Sequence, residues 1–204
     1  MGTGSGPRIA PGSRADIGLI NYAIARLLGI AAGGRPPNLF PTLARNRRLF
    51  RRWLFFAAAL MPGGRLPRSD SELVILRVAH NTGCAYEWSH HERIALHSGL
   101  TGDDVERVRD GVAAAGWSPR QVLLLRATDE LHARSRIGDE LWADLSDLLS
   151  EAELIELCML VGHYEMLAMT LNSLGVEIDR LPADDPPQTA RLLRRVARRR
   201  ERGR

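Results

Sequence analysis

The chain has 204 residues, 45% hydrophobic and 5% aromatic, which suits one well-buried core and argues against both a disordered chain and an aromatic-rich sheet sandwich. Its basic character belongs to one end: no Lys occurs, and residues 191–204 carry eight Arg against one Glu, a net +7 that leaves −3 for residues 1–190. A body without a basic stripe is not a nucleic-acid reader, so no nucleic-acid partner is expected, and two cysteines, Cys84 and Cys158, are too few and too far apart for a secreted disulfide framework.

Residues 1–14, rich in Gly, Ser and Pro, read as a flexible leader without the apolar run of a secretory signal, and no stretch of about 20 apolar residues follows. No membrane association and a cytoplasmic location are therefore expected. The first helical periodicity runs from Ile17 to Ile30 and stops at Gly33-Gly34-Arg35-Pro36-Pro37. A second helical stretch holds Leu43, Leu49, Trp53, Phe56 and Leu60 and is broken by Pro62-Gly63-Gly64. Ser69 and Glu72 have the spacing of a capping box, which predicts a helix start there, and Leu73, Leu76, Val78 and Ala79 predict its burial up to Asn81-Thr82-Gly83.

The next helix is expected from Cys84 to His97, followed by helices over 102–115, 118–134, 139–148 and 152–174. Strand-like alternation of useful length is absent. The fold class is therefore all-α, with one helical domain over residues 15–180 and a Pro-rich linker and Arg-rich tail over 181–204. Ser69-x-x-Glu72-Leu73-x-x-Leu76 is echoed by Ser150-x-x-Glu153-Leu154-x-x-Leu157, and Tyr86-Glu87 by Tyr164-Glu165, a candidate internal repeat of a helix pair.

Cys84, Glu87 and His91 stand at i, i+3 and i+7, which puts a thiol, a carboxylate and an imidazole on one face of a helix with about 3.6 residues per turn. In the first turn, the helix dipole and unpaired N–H groups are expected to lower the pKa of Cys84. Glu87-x-x-His90 is half of a di-iron bundle motif, but no second Glu-x-x-His exists, so no metal is expected. Trp53, Trp88 and the Phe50, Phe55, Phe56 group could line an apolar pocket, with core packing as the commoner explanation.

Glu72-Leu73-Val74-Ile75-Leu76-Arg77-Val78-Ala79, then Gly83-Cys84-Ala85-Tyr86-Glu87-Trp88-Ser89-His90-His91, resembles the carboxymuconolactone decarboxylase and alkylhydroperoxidase D (AhpD-like) superfamily. The later run from His163-Tyr164-Glu165 to Leu174-Gly175-Val176 is similar to the decarboxylase-like branch. The resemblance implies an AhpD-like helical bundle, a homotrimer or homohexamer, no cofactor and a small-molecule substrate. In the hydroperoxidase branch a C-x-x-C pair reduces peroxide while a Glu and a His relay protons. Cys84, His91 and Glu72 match three of those positions, whereas Glu87 replaces the second thiol and leaves Cys158 as the only spare cysteine.

The better match is the decarboxylase branch, which implies cofactor-independent acid/base chemistry on a carboxylated or lactone-like substrate. His91 is the candidate proton donor, with His90 second, Glu87 orienting it and Glu72 assisting. Arg77, Trp88, Tyr86 and His163 are the candidate substrate contacts. An alkyl hydroperoxide reductase using Cys84, and a non-catalytic helical oligomer that serves as a binding module, are the alternatives.

Overall fold

A computed structural model describes residues 6–31 and 34–179. Among the described residues are nine α-helices, one 3₁₀ turn and no strand. The expected Pro-rich linker and Arg-rich tail lie outside them.

The helices form two compact units, one of residues up to Pro62 together with those from Ser173 on, the other Gly63–Asn172. In the first unit α1 (Arg14–Ala31), α2 (Leu39–Leu43) and α3 (Arg47–Leu60) close on Ile17, Ala44 and Phe50, with Phe40, Trp53 and Leu54 packed around them. Trp53 stacks on Phe50 at 6.2 Å, while Phe55 is 77% exposed, so this aromatic group is core and surface, not a pocket wall. Nothing in the hydrophobic pattern announces a break in α1 at Gly18, whose φ of 76° favours glycine. Arg47 donates there to the carbonyls of Ala15 and Asp16, which the interrupted helix leaves without intrahelical partners. The stretch expected to be a loose leader is pinned in its described part, with the Arg8 N–H on the Leu174 carbonyl and the Gly12 N–H on the Pro41 carbonyl.

The second unit is organised by α4 (Arg68–Asn81), whose residues from Asp70 to Leu76 are all buried, as are Val78 and Ala79. A helix apolar on every side belongs in the middle of a bundle, and α4 touches α5 (Ala85–His97), α6 (Gly102–Asp110) and α7 (Pro119–Arg134). Leu73 and Leu76 of α4 pack with Ala95, Val105, Val108 and Leu125, and Trp88 and Trp117 lean on that cluster. A 3₁₀ turn at Gly111–Ala113 ends the α6 segment early, and α8 (Asp139–Leu148) and α9 (Glu151–Leu174) complete the chain.

Among the described residues, α9 is the one helix long and apolar enough to cross a membrane by length and composition. Its Glu residues interrupt any simple apolar run, which is why the sequence shows no such stretch. Of its apolar window 56% is buried within the protein, as in a core helix.

Candidate functional site

The turn between α4 and α5 builds the site. Gly83, at φ 62°, closes α4 in a Schellman motif: its N–H goes to the His80 carbonyl, and the Cys84 N–H reaches back to Ala79 at 2.9 Å. The Cys84 carbonyl accepts from the Trp88 N–H at 3.0 Å and so opens α5, with Cys84 as its N-cap. One residue thus ends one helix and begins the next, which fixes the thiol between them.

Four turns of helix converge there. Glu72 on α4 has no exposed side-chain surface; one oxygen meets Arg68 at 2.7 Å and the other lies 2.7 Å from Nδ1 of His91 on α5. A carboxylate on Nδ1 holds the imidazole in the tautomer that leaves Nε2 as the acceptor. The His91 ring stands edge-on to Tyr164 of α9, with centroids 5.1 Å apart, and His163 meets the same ring at 5.2 Å. Tyr164 is buried, and burial followed by the charge of Glu72 pushes its phenol well above the ordinary range.

Glu87, one turn before His91, is 2% exposed, and its buried oxygens have no hydrogen-bond partner beyond the weak contact of the Cys84 thiol. Burial raises its pKa to about 8, the neighbouring Cys84 thiol pulls it down, and Glu165 on α9 adds repulsion. The carboxyl is therefore mostly protonated at neutral pH. Cys84 is 1% exposed, and burial, reinforced by the Glu87 charge, pushes its thiol up to about 12. This corrects the expectation of a lowered pKa, because a helix dipole worth about 1 kcal/mol does not offset desolvation. His163 is pushed down to about 4, first by burial and then by His91, so it is a neutral imidazole. Among the described residues no three His, Cys, Asp or Glu side chains are placed to hold a metal ion.

Residues 47–130 match the carboxymuconolactone decarboxylase family. The fold is that of an AhpD-core, peroxidase-related protein from Ralstonia eutropha JMP134, with a TM-score of 0.74 at 17% identity over 84% of this chain and 93% of that one. It is also that of a peroxidase-related protein from Silicibacter sp. TM1040, with a TM-score of 0.76 at 15% identity over 88% and 96%. The central part of the chain, residues 47–130, is thus similar to the carboxymuconolactone decarboxylase family, on a fold shared with AhpD-like proteins. The debrominase Bmp8 has the same fold: a cysteine-to-alanine variant of it in complex with 2,3,4-tribromopyrrole aligns with a TM-score of 0.71 at 15% identity over 96% of this chain and 98% of that one. No functionally curated protein matches the sequence.

Cys84, Glu87, His91, Glu72 and His163 gather around Tyr164, and four other expected site residues do not join them. His90 faces away and lies against Tyr86, ring centroids 4.8 Å apart, so His91 is the histidine of the pair that meets Glu72. Trp88 packs on the core cluster with Arg109 3.9 Å above its ring. Arg77, expected to hold a substrate carboxylate, is instead tied to Asp129 at 2.6 and 3.0 Å and to the carbonyls of Val108 and Arg109.

Glu72 is not a capping partner. The helix starts at Arg68 with Pro67 as its N-cap, no side chain caps it, and Glu72 lies a full turn inside. Sequence reasoning missed Arg68, although its i, i+4 spacing to Glu72 on one helix was a usable signal. Cys158 is a half-buried, free cysteine on α9 whose thiol burial also pushes up.

Proposed function

We propose that this protein is a cofactor-independent enzyme of the carboxymuconolactone decarboxylase type, doing acid/base chemistry on a small carboxylated or lactone-like substrate. The observation that carries this reading is the buried 2.7 Å contact between Glu72 and Nδ1 of His91. A carboxylate that fixes one ring nitrogen makes the other a positioned proton acceptor, and later a donor. Glu87, protonated near neutral pH by its burial, supplies a second proton on the same helix face. An imidazole fixed by a carboxylate and a buried, protonated carboxyl, one turn apart, suit removal of a proton at one atom and delivery at another.

His91→Ala is expected to lower turnover of a responsive lactone or carboxylated lactone by roughly 10²–10⁴-fold with the helical content unchanged. Retained turnover would remove the reading.

A second reading has a specific observation in its favour: the Cys84 thiol interacts with Glu87, and the debrominase Bmp8 of the same fold holds 2,3,4-tribromopyrrole in a cysteine-to-alanine variant. In a hydroperoxide reductase the Cys84 thiolate would attack the peroxide, form a sulfenic acid and release the alcohol, with Cys158 or an external thiol resolving it. A thiol pushed up to about 12 is almost wholly protonated at neutral pH, so the acid/base reading stands first. Sulfenic acid at Cys84 after peroxide addition at neutral pH would reverse that order.

The homotrimer or homohexamer implied by the resemblance has support in α9, where Ile155, Met159, Met166 and Met169 form an exposed apolar stripe at successive steps of four, seven and three residues.

A further inference from the structure

Both arginines of α4 already hold carboxylates: Arg68 meets Glu72 at 2.7 Å, and Arg77 grips Asp129 with two of its nitrogens while a third bonds the carbonyls that end α6. What stays uncompensated beside Cys84 is a carboxyl and not a cation. Glu87 is 2% exposed, with both oxygens buried and no partner beyond the weak Cys84 thiol. Behind it on α9 lies another acid, Glu165, held by Nδ1 of His132 at 2.6 Å. A carboxylate ligand entering here would give up its water for a buried carboxyl and for guanidinium groups that are already paired. An uncharged acceptor loses little by comparison, because a protonated Glu87 is an O–H donor facing no acceptor stronger than the Cys84 sulfur.

Resting on the acid/base reading above, we propose that the site takes an uncharged carbonyl compound, a lactone, ester or ketone, held by a hydrogen bond from the Glu87 carboxyl to its carbonyl oxygen. His91 lies one turn along the same face, with Cβ atoms about 6 Å apart, so Nε2 reaches toward the carbon next to that carbonyl. The two residues then divide one enolisation. Nε2 takes the proton from carbon, the C–H electron pair becomes the C=C bond, and the Glu87 proton passes to the carbonyl oxygen. Returning both protons restores the starting charges.

The test uses the full chain and two probes that differ in charge: an oxocyclopentane-carboxylate and its methyl ester, ring ketones that cannot open by hydrolysis of the ring. Binding is followed by ligand-observed NMR at pH 7. The ester is expected to bind at least tenfold more tightly than the carboxylate. Equal or tighter binding of the carboxylate, or binding of neither, overturns the proposal.

A pH series supplies the second readout. The titratable and charged groups around Glu87 are Cys84 and His91 on its own helix, Arg68 and Glu72 on α4, His163, Tyr164 and Glu165 on α9, and His132 behind Glu165. From pH 7 to 9 ester affinity should fall about tenfold as Glu87 ionises through about 8, since only its protonated form donates. Glu87→Gln, whose amide still donates, should hold its affinity across that range. A flat profile in the natural protein, or an equal fall in Glu87→Gln, overturns the assignment of Glu87.

Deuterium uptake at the carbon next to the ketone separates the two levels of the argument. An ester that binds with this pH profile but never exchanges keeps the substrate class and sinks the acid/base reading. Exchange of the carboxylate in preference to the ester keeps the acid/base reading and sinks the substrate class.

Discussion

Helices α5 and α9 begin with the same spacing and opposite consequences. At the start of α9, Ser150 is bonded to Glu153 three residues on: the Glu153 carboxylate accepts from the Ser150 N–H at 2.9 Å and the hydroxyl at 2.7 Å, while the Glu153 N–H turns back to the hydroxyl. At the start of α5, Cys84 and Glu87 hold those two positions, and no side chain caps the helix. The hydroxyl of Ser150 bonds the carboxylate well and holds Glu153 below its ordinary pKa, the side-chain bond contributing most. A thiol is a weak donor, the pair is buried, and Glu87 goes the other way, to about 8. Ser69-x-x-Glu72 repeats the spacing a third time but falls one turn inside α4, where Glu72 meets Arg68 and His91. The comparison teaches that this spacing builds a cap only at a solvated helix start, and that burying its carboxyl converts a structural motif into a chemical group.

The largest effect that could break this comparison is at Glu72. Glu72→Ala leaves Arg68 and the His91 ring nitrogen facing an apolar gap, and removing one member of such a pair costs about 3 kcal/mol. Glu153→Ala is expected to cost less than about 1 kcal/mol, since its partners are solvated. Urea unfolding of the two variants side by side checks the ranking, and similar losses would mean that Glu72 acts only as another cap.

Next in size is the pH dependence of Glu87. Its folded pKa lies near 8, above the ordinary 4.5, so between these values the folded chain binds a proton that the unfolded chain has released. Stability therefore falls as pH rises through that window, by up to ~1.4 kcal/mol per pH unit. Glu87→Gln has no proton to release and should gain on the natural protein as pH rises from about 5 to 8, as read by thermal unfolding. A constant difference between the two would show that Glu87 is ionised in the fold, like Glu153.

How much of this was legible in the sequence follows from the range of each interaction. Eight of the nine helices rest on local periodicity and punctuation, and the helix expected from Cys84 does run to His97, with Cys84 as its cap. The clustering of Cys84, Glu87 and His91 on one face is equally local. Burial is not. Nothing near Cys84 says that α4 and α9 will close over it, so the dipole argument predicted the wrong direction for its pKa. Arg77 was misplaced for a similar reason, because its partner Asp129 is 52 residues away on α7. The choice between His90 and His91 likewise waited on Glu72 and Tyr164, which reach α5 from two other helices. Glu72 was misread for want of one local fact, that Pro67 and not Ser69 starts the helix.

The smaller predictions concern the serines. Ser150→Ala removes the hydroxyl from a complete capping box and should cost about 1 kcal/mol at neutral pH. Glu153 is held below its unfolded pKa, so the stabilisation is present above about pH 4.5 and fades as pH falls through its folded pKa; the variant and the natural protein should converge in acid. Ser69→Ala carries the least expected effect and the sharpest contrast. With Pro67 at the N-cap and Glu72 committed to His91, Ser69 has no box to complete, and the change should stay within about 0.5 kcal/mol at any pH. A loss near that of Ser150→Ala would mean that α4 begins at Ser69 and that Glu72 turns back to its cap. His91 would then lose the carboxylate that orients it, and the acid/base reading would lose its geometric support.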